Sequence, residues 1–113
     1  MTMKYSPRAY DDFMKLAYPE RPAEKDKVEA SRDLRRLSEE GKRVRPNNYQ
    51  SQLTSAKIPL LDQYKIVRNT AQRKITIRNP ETGATRIEEK DISLLFVIHE
   101  DEVIRVISKD QES

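Results

Sequence analysis

Cysteine is absent from this 113-residue chain and histidine occurs once, at His99. Without thiols there is no disulfide scaffold, no thiolate nucleophile and no thiolate-ligated metal site. A lone histidine removes the multi-histidine zinc arrangements as well. Glycine occurs only at Gly41 and Gly83, which leaves no glycine-rich loop to cradle a phosphate. No serine stands in surroundings that resemble a nucleophile elbow. No apolar run approaches the ~18 residues of a membrane span, and the first residues lack an apolar signal segment. The expectation is a cytoplasmic protein that does not touch a membrane and carries no cofactor and no metal.

Charge is what the chain has most of. Charged residues make up 36% of the sequence against 35% hydrophobic, with 22 Lys and Arg, 19 Asp and Glu, and a net charge of +3. The length suits one domain spanning residues 1–113, with a modest core that has few spare members. The charge is uneven: residues 1–31 are neutral overall, 32–90 carry net +7, and 91–113 carry net −4. A basic middle with an acidic end is either an electrostatic footprint for a polyanion or an ordinary solvated surface.

Along the chain, Met1 to Tyr5 alternates as a short strand does. Ser6-Pro7 reads as a helix start, with serine as cap and proline in the first turn. Ala9, Phe13, Leu16 and Ala17 form an apolar helical stripe that Tyr10 and Met14 widen, and Pro19 and Pro22 end it. A second helix is expected from Ala23 to Glu40, with Ala23, Ala30, Leu34 and Leu37 on one face and Gly41 as its C-cap. Residues 42–57 are polar and punctuated by Pro46-Asn47-Asn48, and read as a loop or arm. From Ile58 the period changes to two. Ile58, Leu60 and Leu61 open a strand that Pro59 places at an edge. Ile75 and Ile77 alternate with Lys74, Thr76 and Arg78, and Asn79-Pro80-Glu81-Thr82-Gly83 is a strong turn. Leu94 to Ile98 and Val103 to Ile107 read as central strands buried on both faces. The fold class is therefore α+β: two N-terminal helices packed on a four- to five-stranded, mainly antiparallel sheet.

Two basic clusters stand out. Arg32, Arg35, Arg36, Lys42, Arg43 and Arg45 gather at the end of the second helix. Lys65, Arg68, Arg73, Lys74, Arg78, Arg86 and Lys90 follow through the strands. Within the hairpin Lys74, Thr76 and Arg78 share a face, Ile75 and Ile77 point to the core, and Arg86 is expected across from the basic face. Such a surface suits a phosphate backbone, which long cationic side chains neutralise without reading bases. The candidate nucleic-acid contacts are Arg43, Arg45, Arg68, Arg73, Lys74 and Arg78, with Tyr49 and Tyr64 as candidate stacking platforms. His99, with Asp101 and Glu102, reads either as a turn residue or as a weak metal site. A metal-free ribonuclease needs a base for the 2′-hydroxyl, an acid for the leaving oxygen and cations for the developing charge. Arg86, Glu88, Lys90 and Lys109 are the reachable candidates by strand position.

The run Ile92 to Ser108, an apolar strand, an acidic turn and a second apolar strand, resembles the last hairpin of the RelE/ParE toxin superfamily. The opening Lys4-Tyr5-Ser6-Pro7-Arg8-Ala9-Tyr10-Asp11-Asp12-Phe13 is similar to that family's first strand running into its first helix. The resemblance covers residues 1–40 and 86–109. It implies a RelE-like fold, a small basic toxin paired with an antitoxin, and, in one branch, cleavage of messenger RNA at the ribosome. Catalytic groups would fall at Arg86, Lys90 and Lys109. Asp110-Gln111-Glu112-Ser113 departs from the pattern of active members, which continue with basic residues and a catalytic tyrosine or histidine; weak or absent ribonuclease activity follows. Two further readings stay open. One is a non-enzymatic phage or mobile-element protein that binds nucleic acid or inhibits a protein partner. The other is a structural protein, such as a homodimer joined through strand edges.

Overall fold

Ser6 starts the first helix as its chemistry dictates. Its hydroxyl accepts from the Ala9 amide at 3.1 Å and donates to the Ile104 carbonyl at 3.1 Å, so one side chain both caps the helix and fixes it to the sheet. In the computed structural model, which describes residues 3–19, 24–59 and 63–108, the chain runs β1 (Lys4–Tyr5), α1 (Pro7–Ala17), α2 (Glu24–Glu40), β2 (Lys42–Val44), a 3-10 turn (Pro46–Tyr49), α3 (Gln50–Ser55), β3 (Lys65–Arg78), β4 (Thr85–His99) and β5 (Glu102–Ser108). The five strands form one sheet in the order β1-β5-β4-β3-β2, antiparallel throughout except for the parallel pair of β1 with β5. The α+β class with two N-terminal helices on a mainly antiparallel sheet is thus what the chain adopts. Among the described residues no helix is long and apolar enough to cross a membrane.

Both faces of the sheet are covered. On one, Ala9, Phe13 and Ala17 of α1 and Ala30, Leu34 and Leu37 of α2 pack on Val67, Ala71, Leu94, Phe96, Ile98, Val103 and Val106. On the other, Tyr49, Leu53 and Ile58 pack on Ile66, Leu95, Val97 and Ile107. Successive side chains of a strand point to opposite faces, so residues 94–98 of β4, all buried, divide between the two cores.

The second core corrects the expectation for residues 42–57. They are not a free arm. Lys42–Val44 pairs with β3 as an edge strand, and the 3-10 turn with α3 places Tyr49 and Leu53, four residues apart and both buried, onto the sheet. The strand expected from Ile58 is absent at Ile58 and Pro59, where Ile58 instead closes the second core. Leu60 and Leu61, Pro22 and Ala23, and Met1 and Thr2 lie outside the described residues.

Gly41 directly follows α2, where the C-cap was expected, and close packing rather than a left-handed backbone calls for glycine there. The one glycine with positive φ is Gly83. A Cβ at Gly41 would run into Val67 Cγ1 and lie 2.9 Å from the carbonyl oxygens of Arg68 and Leu37. Glycine there lets the end of α2 turn into β2 directly against β3.

At the other edge of the sheet β1 ends at Tyr5, opposite Val103. The next free edge amide, Val106 N–H, donates to Asp12 Oδ2 of α1 at 3.2 Å, and the same oxygen receives Arg105 Nε at 2.7 Å. Arg105 Nη1 also donates to the Ala56 carbonyl at the end of α3. A register irregularity beside Val97 and Ile98 leaves Ile104 without a partner on β4, the signature of a bulge. Arg105, the one charged residue between Val103 and Ser108, is therefore the tie between α1, β5 and the second-face cover.

Candidate nucleic-acid interface

β3 and β4 outrun the rest of the sheet. β2 pairs β3 only at residues 66–68, and β5 pairs β4 only from Leu94 onward. The portion with residues 72–78 on one strand and 85–91 on the other is a two-stranded ribbon, with every residue from 78 to 91 exposed. Seven residue pairs at about 3.4 Å each make it a little over 20 Å long, within a molecule of 53 × 31 × 21 Å.

Register decides which cations share a face. Arg73 lies directly opposite Lys90, Ile75 opposite Glu88, and Ile77 opposite Arg86. One face therefore carries Arg73, Lys90 and Arg86, with Glu88 3.8 Å from Arg86. The other carries Lys74 and Arg78 with Glu89 and Asp91, and there Gln72 donates to Asp91. This overturns the expected placement of Arg86 across from Lys74, Thr76 and Arg78. The reason lies in the turn. Asn79 N–H donates to the Ala84 carbonyl at 2.8 Å, and Gly83 N–H to the Asn79 carbonyl at 2.8 Å, with Gly83 at φ 75°. The loop closes between Asn79 and Ala84, one residue beyond the Asn79–Gly83 segment, and a shift of one residue moves every side chain to the opposite face. Ile75 and Ile77 are likewise half-exposed rather than core members.

The remaining candidates are dispersed. Lys74 Nζ sits 3.3 Å from Glu29 Oε2 of α2 and 5.4 Å from the Tyr18 ring centre. Burial pulls the Lys74 pKa down, but the Glu29 hydrogen bond, with the charges of Tyr18, Glu29 and Glu89, outweighs it, and the pKa ends above its ordinary 10.5. Lys74 is thus engaged within the molecule. Arg68 donates to the Tyr49 hydroxyl at 3.3 Å, which occupies both; Tyr49 is 8% exposed and offers no ring to a base. Tyr64 packs edge-on to His99, centroids 5.5 Å apart. Arg43 and Arg45 are exposed at β2 and the following residue, and Arg43 pairs with Val67, six residues before Arg73 on β3. Of the helix cluster, Arg36 pairs with Asp33 at 3.4 Å and Arg35 lies over Tyr5 at 5.7 Å. Among the described residues no three His, Asp or Glu side chains converge as a metal site. Lys109 lies outside the described residues.

The sequence reading missed the Arg73–Lys90 pair because only the register reveals it. Both are exposed, and neither has an ion-pair partner among the described residues. Like charges facing each other across strands destabilise by roughly 0.2–1 kcal/mol. An open face bearing Arg73, Lys90 and Arg86 can neutralise successive phosphates, and Glu88 supplies a carboxylate beside them. No protein-family model, curated protein or solved structure matches this chain.

Proposed function

We infer that the protein binds nucleic acid, RNA foremost, by laying the Arg73–Lys90–Arg86 face of its ribbon along a phosphate backbone. The observation that carries this reading is the cross-strand Arg73–Lys90 pair. Two cations held directly opposite each other weaken a free hairpin and are relieved by an anion between them. A two-stranded ribbon also has the width that a major groove admits, which extends the reading to duplex DNA. The order strand, helix, helix and then the long hairpin and closing strand supports a RelE/ParE-like protein, to which this chain adds the 42–58 cover and the extended ribbon. Glu88 between Arg86 and Lys90 keeps open a metal-independent ribonuclease activity, with Glu88 as proton acceptor and the two cations on the phosphate.

The test uses the full chain with fluorescent single-stranded RNA and duplex DNA at two salt concentrations, and gel readout of RNA integrity from the same tubes. Binding is expected to weaken steeply with salt. Replacing Arg73 and Lys90 by alanine is expected to weaken RNA binding about tenfold or more and to lower the salt slope by roughly 1.4, about 0.7 per lost contact. The folded state should lose no stability, since a repulsive pair is removed. Absence of binding at low salt, or a double variant that binds like the parent, refutes the reading. Shortened RNA that stays intact with Glu88→Gln would assign cleavage to the same face.

A further inference from the structure

The ribbon also leaves an edge open. Among the described residues nothing pairs with the outer edge of β4 from Thr85 to Ser93, because the β4–β5 pairing starts at Leu94. Unpaired edge strands are templates for another strand unless charge, proline or a bulge blocks them. Among the described residues the most exposed large hydrophobic, Ile87 at 72%, lies in the middle of this edge. The segment Thr85-Arg86-Ile87-Glu88-Glu89-Lys90 carries both signs of charge.

We propose that this edge joins two copies of the chain, as antiparallel β4 strands related by a twofold axis at Ile87. Ile87 then meets Ile87 of the second copy, and Arg86 of each copy lies opposite Glu88 of the other. Because Arg86 and Glu88 already stand 3.8 Å apart within one strand, the four side chains form a ring of alternating sign. Thr85 faces Glu89 and Ala84 faces Lys90, so no like charges meet. The register is specific. Paired residues in an antiparallel sheet share a face, so the strands slide only in steps that keep even-numbered residues opposite even-numbered ones. The adjacent step in one direction sets Arg86 against Arg86, and in the other Glu88 against Glu88. The opposite edge of the ribbon does not serve. On β3 the residues from Arg73 to Arg78 include three cations and no anion, and Lys74 is tied across to Glu29. A twofold perpendicular to the ribbon keeps the same face of both copies on one side. The two Arg73–Lys90 pairs therefore lie on one four-stranded surface, with the helical bodies at opposite ends. Pairing over residues 84–90 buries less than the ~1,200 Å² of standard stable interfaces, so the dimer is weak and depends on concentration.

Sedimentation equilibrium of the full chain without nucleic acid tests this, with circular dichroism as a check on folding. Arg86→Glu and Glu88→Arg are each expected to weaken the dimer about tenfold, and the double swap R86E/E88R to restore it to within about threefold. The chain has no native cysteine, so Ile87→Cys under mild oxidation is expected to give a disulfide-linked dimer rapidly, whereas Thr70→Cys on β3 does not. A chain that stays monomeric at its highest soluble concentration overturns the proposal. So does a dimer indifferent to the charge swaps, or a Thr70→Cys dimer that forms as fast as the Ile87→Cys dimer.

Discussion

Asp12 is one carboxylate with two duties, and its removal is the sharpest test of how the fold is held. Asp12→Ala deletes the acceptor for Arg105 Nε at 2.7 Å and for the Val106 edge amide at 3.2 Å. A hydrogen bond to a charged partner contributes about 1.5–3 kcal/mol and a backbone bond about 1 kcal/mol. The Asp12 and Arg105 side chains keep 17% and 19% of their surface exposed. Water therefore repairs part of the loss, and the expected destabilisation is about 2–4 kcal/mol, short of the cost of orphaning a fully buried charge. That is a large share of the roughly 5–15 kcal/mol typical of a domain. Asp12→Asn keeps an acceptor but no charge, and is expected to lose about half as much. Urea denaturation of these variants, of Arg105→Met and of Asp12→Ala/Arg105→Met completes a double-mutant cycle, with an expected coupling of at least about 1 kcal/mol. If Asp12→Ala lies within about 0.5 kcal/mol of the parent, or if the two sites add without coupling, the edge tie does not hold the sheet as described.

Gly41→Ala is expected to cost about 3 kcal/mol or more in chemical denaturation, since two of the three obstructing atoms are backbone and cannot swing aside. Adding Val67→Ala should recover only a fraction of that loss. Leu53→Ala, at a site 1% exposed, is expected to cost about 2–5 kcal/mol and to raise binding of an apolar dye as Ile66 and Leu95 lose their cover. Lys74 has a pKa raised above 10.5, so its contribution to stability is complete below that pH and is lost as pH rises through the folded value. The stability difference between the parent and Lys74→Met, measured by denaturation at pH 9 and again in strong alkali, should shrink at the higher pH.

Much of the framework was legible from local chemistry. Ser6-Pro7 started α1, the Ala9-Phe13-Ala17 stripe named its buried face, and the unbroken apolar run from Leu94 to Ile98 marked a strand buried on both sides. The same run implied a second cover, whose source was harder to see. In residues 42–58 only Tyr49, Leu53 and Ile58 reach the second core fully buried, too few to give a periodic signal, although the four-residue spacing of Tyr49 and Leu53 is helical. β3 was legible at Lys74 to Arg78 but not through Asn69 to Gln72, where Asn69, Thr70 and Gln72 look like a break; strand pairing with 91–94 carries it through. At the candidate interface the residue types were visible while their grouping was not. Grouping depends on where the turn closes, and a loop bounded by Asn79 and Ala84 differs by one residue from the segment that proline and glycine mark. Arg105 looked like an interruption in an apolar strand because its partner, Asp12, lies 93 residues earlier.

A single strand, β4, runs from exposed residues at Thr85 to complete burial at Leu94. Protection of its amides against hydrogen exchange is therefore expected to rise along its length, from fast local fraying in the ribbon to the global unfolding limit at 94–98. Because Leu94, Phe96 and Ile98 belong to one core and Leu95 and Val97 to the other, neither cover can melt without uncovering a wall of that segment. The molecule thus combines a body that opens all at once with a hairpin that opens freely, and the hairpin can deform around a partner at little expense to the body.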